Sequence, residues 1–306
     1  MLHMNALTLR QLRALRAVAT QGTLTAAAGD LGLSPPAVHG QIRTLEDLVG
    51  SPLLRRGAHG NFVPTHEGQA LLDAESQINI ALETCARRVS ALQGGQTGSV
   101  ALGVIATGKY FAPRLVARLR RAFADIEVTL RIGSRDQMLL ALAGNAVDMV
   151  VLGRPPRNMP VVADPIGPHP YIIIAPPDHP LTRSDPAMPA DLFSETFLMR
   201  EEGSGTHILT TRFLDRIGDG ILWRAIEMGS NETIKQAVIA GLGIALISAH
   251  TVTEELHSGR LASIRAIGLP IQRTWYLIRR QDGEMGPAAR RVHDHIRALS
   301  GSFLPQ

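Results

Sequence analysis

Residues 23–46, TLTAAAGDLGLSPPAVHGQIRTLE, carry two short helical patterns on either side of a tight turn, and no other stretch limits the fold so narrowly. Leu24, Ala27, Ala28 and Leu31 form an apolar stripe whose small members let a second helix come close. Gly32 supplies the turn. Ser34 is placed to cap the second helix, and Pro35 and Pro36 fall where backbone N–H groups have no intrahelical partner, so neither breaks it. Val38, Ile42 and Leu45 recur at i, i+4 and i+7 and face inward, leaving Pro36, His39, Gly40 and Arg43 outside. Leu12, Leu15 and Val18 supply a third packing helix. The spacing predicts a helix-turn-helix, a unit that lays its second helix in the major groove of DNA.

An ordinary helical hairpin has the same pattern, so the sequel matters. Residues 52–68, PLLRRGAHGNFVPTHEG, read as a short hairpin with Arg55 and Arg56 where a wing meets phosphates. Ser34, Pro36, Ala37, Val38, Gln41, Ile42, Leu45, Glu46, Pro52, Leu53, Arg56, Thr65 and Gly68 together resemble the signature of the LysR-type transcriptional regulators. That resemblance implies an N-terminal winged helix-turn-helix and a promoter DNA partner. The DNA-contacting candidates are Ser34, Pro35, Pro36, His39, Arg43, Arg55 and Arg56. Pro35 replaces the family's usual glutamine, His39 its serine, and Gly40 removes a side chain from the groove-facing surface, so the family's base contacts are not carried over.

Charge is arranged to suit this reading. The formal net charge is only +4, too little for a long-range field to dominate DNA affinity. Up to His66, however, Arg10, Arg13, Arg16, Arg43, Arg55 and Arg56 face only Asp30, Glu46 and Asp47, so most of the surplus sits there. Cys85 is the sole cysteine, which excludes an intrachain disulfide or multi-cysteine zinc site and fits a reducing cytoplasm. No basic segment followed by an apolar run opens the chain, and the most apolar stretch, residues 237–249, is short and broken by Gly241 and Gly243. The expectation is a cytoplasmic protein with no membrane, metal or cofactor requirement.

Between Gly68 and Leu92 there is neither proline nor glycine, and Leu71, Ile78, Leu82, Cys85, Val89 and Leu92 follow heptad steps broken only at Glu75. A narrow seam with two wide polar faces predicts a dimerisation helix over 67–93, against the alternative of a helix packed on its own domain. The LysR resemblance implies antiparallel pairing of protomers here and assembly into a dimer or tetramer. A symmetric dimer requires an operator that is an imperfect inverted repeat. Gly94 to Gly98 then reads as a hinge, which leaves 1–66 as the DNA-binding domain and 99–303 as a sensor.

Within the sensor the pattern alternates. Val100 to Ile105 and Ile126 to Ile132 read as strands, with a helix marked by Leu115, Leu119 and Phe123 between them. A further helix around 138–142 and a strand around 147–152 follow, with strands also at 171–175, 197–199, 226, 244–247 and 274–278. Alternation of this kind predicts an α/β fold with parallel sheets and right-handed crossovers. In outline it resembles two-lobed, periplasmic-binding-protein-like domains, with lobes at 99–165 plus 269–303 and at 166–268.

Small ligands in such sheets sit beyond strand C-termini, near helix N-termini. Residues 106–109, 201–206 and 229–235 have that character. Each alone reads first as a helix cap, but the only lysines, Lys109 and Lys235, fall in two of the three, which favours an anionic effector. Residues 149–156, 172–181, 199–206 and 228–252 extend the resemblance to the LysR-family regulators of Calvin-cycle, RuBisCO-encoding operons, the CbbR group. That resemblance implies an activator responding to phosphorylated sugars, phosphoenolpyruvate or a reduced nicotinamide nucleotide, with RNA polymerase as a partner. The effector candidates are Thr107, Lys109, Arg154, Ser204, Gly205, Thr206, Asn231, Glu232 and Lys235.

Three other readings compete with this one. An enzyme lacks any phosphate loop or His-Glu-x-x-His, and His207 beside Ser204 is its one suggestion of a base. An exported solute-binding protein leaves the winged N-terminus unexplained. A LysR-type regulator of an unrelated operon remains the alternative.

Overall fold

A computed structural model describes residues 6–57, 60–93, 98–218 and 220–305. The chain packs as two units that divide at Cys85. In the first, α1 (Leu9–Gln21), α2 (Leu24–Leu31) and α3 (Pro35–Val49) precede a hairpin of β1 (Leu54–Arg56) and β2 (Phe62–Pro64), and α4 (His66–Gln93) begins there. Thr8, Thr23 and Ser34 cap the first three helices, each accepting a backbone N–H of the first turn. Gly22, Gly32 and Gly50 end them in the left-handed conformation that glycine adopts without cost. Leu12, Leu15, Val18, Ala27, Ala28, Val38, Ile42 and Leu45 form one core, as their spacing predicts.

Leu71 is part of that core, 7% exposed, and Ile78 packs against it. This corrects the reading of the heptad as one continuous partner-facing seam: its first two members close the winged domain. The break at Glu75 has the same cause. Glu75 is buried, its carboxylate accepting from Asn79 and lying 3.3 Å from the Arg16 guanidinium. Leu82, Cys85 and Val89 remain exposed, while the Leu92 side chain and residues 94–97 of the expected hinge lie outside the described residues.

In the second unit, β3 (Gly98–Ile105), α5 (Ala112–Ala122), β4 (Ile126–Gly133), α6 (Arg135–Ala143) and β5 (Met149–Leu152) build the expected parallel strands. Two further strands complete the sheet, β6 (Val161–Pro168) and later β12 (Thr274–Arg280), in the order β4-β3-β5-β12-β6. β12 runs antiparallel to both neighbours, so the sheet is mixed rather than parallel. A strand that returns from a second lobe is not bound by the crossover rule governing consecutive βαβ units, and it can enter reversed.

The second lobe holds β7 (Tyr171–Ala175), α7 (Pro189–Phe193), β8 (Thr196–Arg200), α8 (Gly205–Gly218), β9 (Arg224–Met228), α9 (Asn231–Ile239), β10 (Ala245–Ser248), α10 (Thr253–His257) and β11 (Ala262–Ile264). Here β10 and β11 flank β7 antiparallel, while β8 and β9 pair in parallel. A bridge from Phe197 to Ile244 joins the two ladders. Gly243 permits it, because a Cβ there would stand 2.3 Å from the Thr196 carbonyl oxygen. The lobe boundaries also shift. β6 continues in the first sheet to Pro168, and Phe303 and Leu304 are buried in the first lobe's core, so that lobe runs past 165 and past 303.

Between the lobes, His169 stacks on Trp275 with ring centroids 3.8 Å apart. Trp275 Nε1 donates to His250 Nδ1 at 3.1 Å, and His169 Nε2 is 3.1 Å from the Ser248 hydroxyl. Burial pushes both imidazoles down, His250 to about 4, so both are neutral near pH 7.

Candidate DNA-binding surface and effector site

The family-like residues of the winged domain divide into holders and readers. The Glu46 carboxylate accepts the Leu53 N–H at 2.8 Å. Thr65 donates its hydroxyl to the Pro52 carbonyl and accepts the Gly68 N–H at 3.0 Å. At Gly68 a Cβ would lie 2.0 Å from the Leu53 carbonyl oxygen, so only glycine lets α4 approach. These residues lash the wing to the base of α3.

The exposed face of α3 presents Pro35, Pro36, His39, Gly40 and Arg43, with Ser34 at its start. A Cβ on Gly40 would meet nothing within 4 Å, so packing does not demand glycine there. Arg55 and Arg56 are both exposed on the wing. Arg56, however, lies 4.1 Å over the Phe62 ring and donates to the Gly60 carbonyl at 2.6 Å. Arg56 therefore braces the wing as well as offering charge, whereas Arg55 offers charge alone.

In the sensor, β3 and β5 are parallel neighbours with Val104 opposite Val151, and β4 ends at Gly133 opposite Ile105. Their C-terminal ends therefore share one edge, which collects the short 3-10 turn Ala106–Tyr110 bearing Thr107, the cap Ser134 with Arg135, and the exposed Arg154. Arg135 Nη1 donates to the Arg154 carbonyl at 2.7 Å. Burial, then the neighbouring Arg154 charge, lowers the Arg135 pKa. Two adjacent guanidinium groups of this kind favour an anion between them.

The second lobe meets this edge at buried Thr107, whose Oγ1 accepts from Asn231 Nδ2 at 3.4 Å. Asn231 Oδ1 in turn accepts from Arg200 Nη1 at 2.8 Å, and Arg200 forks both Glu201 oxygens at 2.6 Å. That fork holds the Glu201 carboxyl below its usual range. Sequence reading passed over Arg200, Arg135 and Tyr110. The adjacent Arg200-Glu201 pair at a strand end was the available signal, masked by the Gly-Ser-Gly-Thr beside it.

Ser204 is a cap, accepting the Thr206 and His207 N–H groups at 3.2 and 3.4 Å. Gly205 is exposed at the start of α8, and Thr206 is buried; burial pushes the nearby Tyr171 hydroxyl up to about 12. His207 Nδ1 donates to the Arg200 carbonyl at 2.7 Å. The imidazole is thereby turned to structure rather than to the Ser204 hydroxyl.

The lysines behave differently from the sequence expectation. Lys235 is buried, its Nζ 2.6 Å from Glu255 and 3.2 Å from Glu232, so its charge is already met within the protein. For Glu232, burial works to raise the pKa, but bonds from Gln236, Lys235 and Tyr110 outweigh it and hold the carboxyl low. Tyr110, raised by burial and then by Glu232, donates to Glu232 at 3.3 Å. Lys109 Nζ sits 5.0 Å over the Tyr110 ring. The structure thus brings Thr107 and Asn231 together across the lobes and sets Glu232 and Lys235 in a separate ion cluster. Among the described residues no group of three His, Cys, Asp or Glu is placed to hold a metal, and no helix is long and apolar enough to cross a membrane.

Two family models match this chain: a bacterial regulatory helix-turn-helix protein of the lysR family over residues 9–69, and a LysR substrate binding domain over residues 93–300. An HTH-type transcriptional regulator CbbR of Cereibacter sphaeroides is 50% identical over 306 residues, covering 100% of this chain and 99% of the relative. A RuBisCO operon transcriptional regulator of Allochromatium vinosum is 39% identical over 288 residues, covering 94% of this chain and 95% of the relative. The regulatory domain of Synechocystis PCC6803 CcmR, solved in complex with 2-PG, is 31% identical with a TM-score of 0.63, covering 67% of this chain and 98% of that one.

Proposed function

Because the chain belongs to the LysR family of DNA-binding transcriptional regulators, we propose that it activates a RuBisCO operon of the Calvin cycle in response to a small phosphorylated anion. The carrying observation is full-length similarity to regulators named for that operon, joined to the adjacent Arg135 and Arg154 at the sensor edge, where Arg135 donates to the Arg154 carbonyl. The phosphoryl group is met by Arg135 and Arg154 with the Thr107 hydroxyl beside them, and the Thr206 hydroxyl and Arg200–Asn231 pair close from the other lobe. Binding of 2-PG by the CcmR domain supports this class of effector; a reduced nicotinamide nucleotide is the other candidate.

Two protomers pair through the exposed Leu82, Cys85 and Val89, and pairs associate into a tetramer that grips an imperfect inverted repeat. Lobe closure changes the spacing of the paired winged domains and the bend they impose, and so the access of RNA polymerase in the cytoplasm. Isothermal titration of the full chain with 2-PG and with sugar phosphates tests the effector. Binding weakened about tenfold by Arg154→Gln supports the reading; equal binding by wild type and variant, or no binding of any phosphorylated compound, contradicts it.

A further inference from the structure

A cavity of about 700 Å3 is lined by residues of both sensor lobes, and none of Thr107, Arg135, Arg154 or Thr206 lines it. Tyr110 and Arg114 come from the first lobe, His250, Thr251 and Glu254 from the second, and Phe303 from the C-terminal segment.

Two polar groups there are left unused, one of them buried. His250 Nδ1 accepts the Trp275 indole N–H, and the imidazole is neutral because burial lowers its pKa to about 4. A neutral imidazole that accepts at Nδ1 carries its hydrogen on Nε2. Nε2 has no hydrogen-bond partner among the described residues, and it is not one of the side-chain atoms closed off from solvent, so it is open to a ligand. The neighbouring Thr251, 2% exposed, has a hydroxyl with no hydrogen-bond partner. Buried polar atoms without partners are uncommon and call for an explanation.

The charges are equally specific. Lys235 and Glu255 neutralise each other at 2.6 Å, which leaves Arg114 on α5 and Glu254 on α10. Neither has an ion-pair partner among the described residues, so one cation and one anion stand free, one on each lobe. A ligand bearing both signs satisfies them at once, and a simple anion satisfies only half.

We propose that this cavity is a second ligand site of the sensor and takes a zwitterion of the α-amino-acid class. The carboxylate accepts from Arg114, from the His250 Nε2–H and from the Thr251 hydroxyl, the ammonium group donates to Glu254, and an apolar side chain lies against Tyr110 and Pro305. A molecule held by both lobes biases their closure, which gives the regulator an input separate from the phosphorylated effector.

Full-length protein titrated calorimetrically with each of the twenty L-amino acids tests this. At least one is expected to bind, and Arg114→Gln and Thr251→Val are each expected to weaken it about tenfold while 2-PG binding stays as it is in the wild type. Glu254→Gln should weaken the amino acid but not its deaminated analogue. Absence of heat from all twenty, binding indifferent to all three variants, or equal affinity of the deaminated acid overturns the proposal. Loss of 2-PG binding in Arg114→Gln would overturn it differently, by making this cavity the phosphorylated effector's own site.

Discussion

In the winged domain His39, Arg43 and Arg55 stand exposed with no carboxylate set against them among the described residues, whereas in the sensor Arg200, Lys235 and Arg291 lie against Glu201, Glu255 and Asp125. Phosphates lie outside the protein, so a DNA-reading surface must leave its cations unpaired, and its inward polar groups, Glu46 and Thr65, are used on backbone instead. A sensor must instead hold two lobes in a balance that a small ligand can tip, and pairs many of its charges within each lobe. The same residue types therefore report binding in one region and architecture in the other.

The strongest way to break this contrast is Gly68→Ala. A methyl group 2.0 Å from the Leu53 carbonyl should cost about 3 kcal/mol or more, confined to the winged domain. Calorimetry should show that domain's transition lowered and the sensor's in place, with DNA binding lost and effector binding kept. A lowered sensor transition would contradict the division.

Next comes the buried pair. Glu255→Ala strands Lys235 with only the more exposed Glu232, and should lower sensor stability by roughly 3 kcal/mol in urea, whereas Lys235→Met with Glu255→Leu should recover most of it. If Lys235→Met alone lowers effector affinity and leaves stability unchanged, Lys235 is a ligand after all.

A comparable loss should come from pH. The unfolded His250 takes up a proton near pH 6.5 and the folded one only near about 4, so the stability it contributes is present above pH 6.5 and drains away as pH falls toward 4. The drop should be about 2–3 kcal/mol, with buried His169 acting in the same direction. Unfolding followed by tryptophan fluorescence should lose most of this slope in His250→Gln, with the remainder due to His169.

The smallest effects lie at the wing. Arg56→Ala should cost about 1 kcal/mol through the Phe62 stack and Gly60 bond. Arg55→Ala should leave stability alone and lower the salt slope of DNA binding by about one. His39→Ala should change preference among operators rather than overall affinity; uniform loss across operators would refute that role.

Most of the winged domain was legible because its determinants are local. The Ser34 cap, the Gly32 turn and the Val38, Ile42, Leu45 stripe all act within a few residues of one another. In the sensor, the alternation of strands and helices was visible, but the reversal of β12 was not, since it depends on a return after about a hundred residues. The site divides likewise. Thr107 and Asn231 were singled out from strand-end and cap position, while their bond to each other and that of Arg200 to Asn231 are tertiary contacts with no sequence period. The pairing of Lys235 was hidden for the same reason: its partner Glu255 lies 20 positions away. Leu71 shows that a heptad step can serve an intrachain core as readily as a partner.

Footprinting of the purified full-length protein on the RuBisCO promoter of its own genome, with and without 2-PG, tests the central claim most directly. Protection of an imperfect inverted repeat, with an extent that changes when 2-PG is added, is the predicted result. An unprotected promoter, or protection that no phosphorylated metabolite alters, would contradict the account.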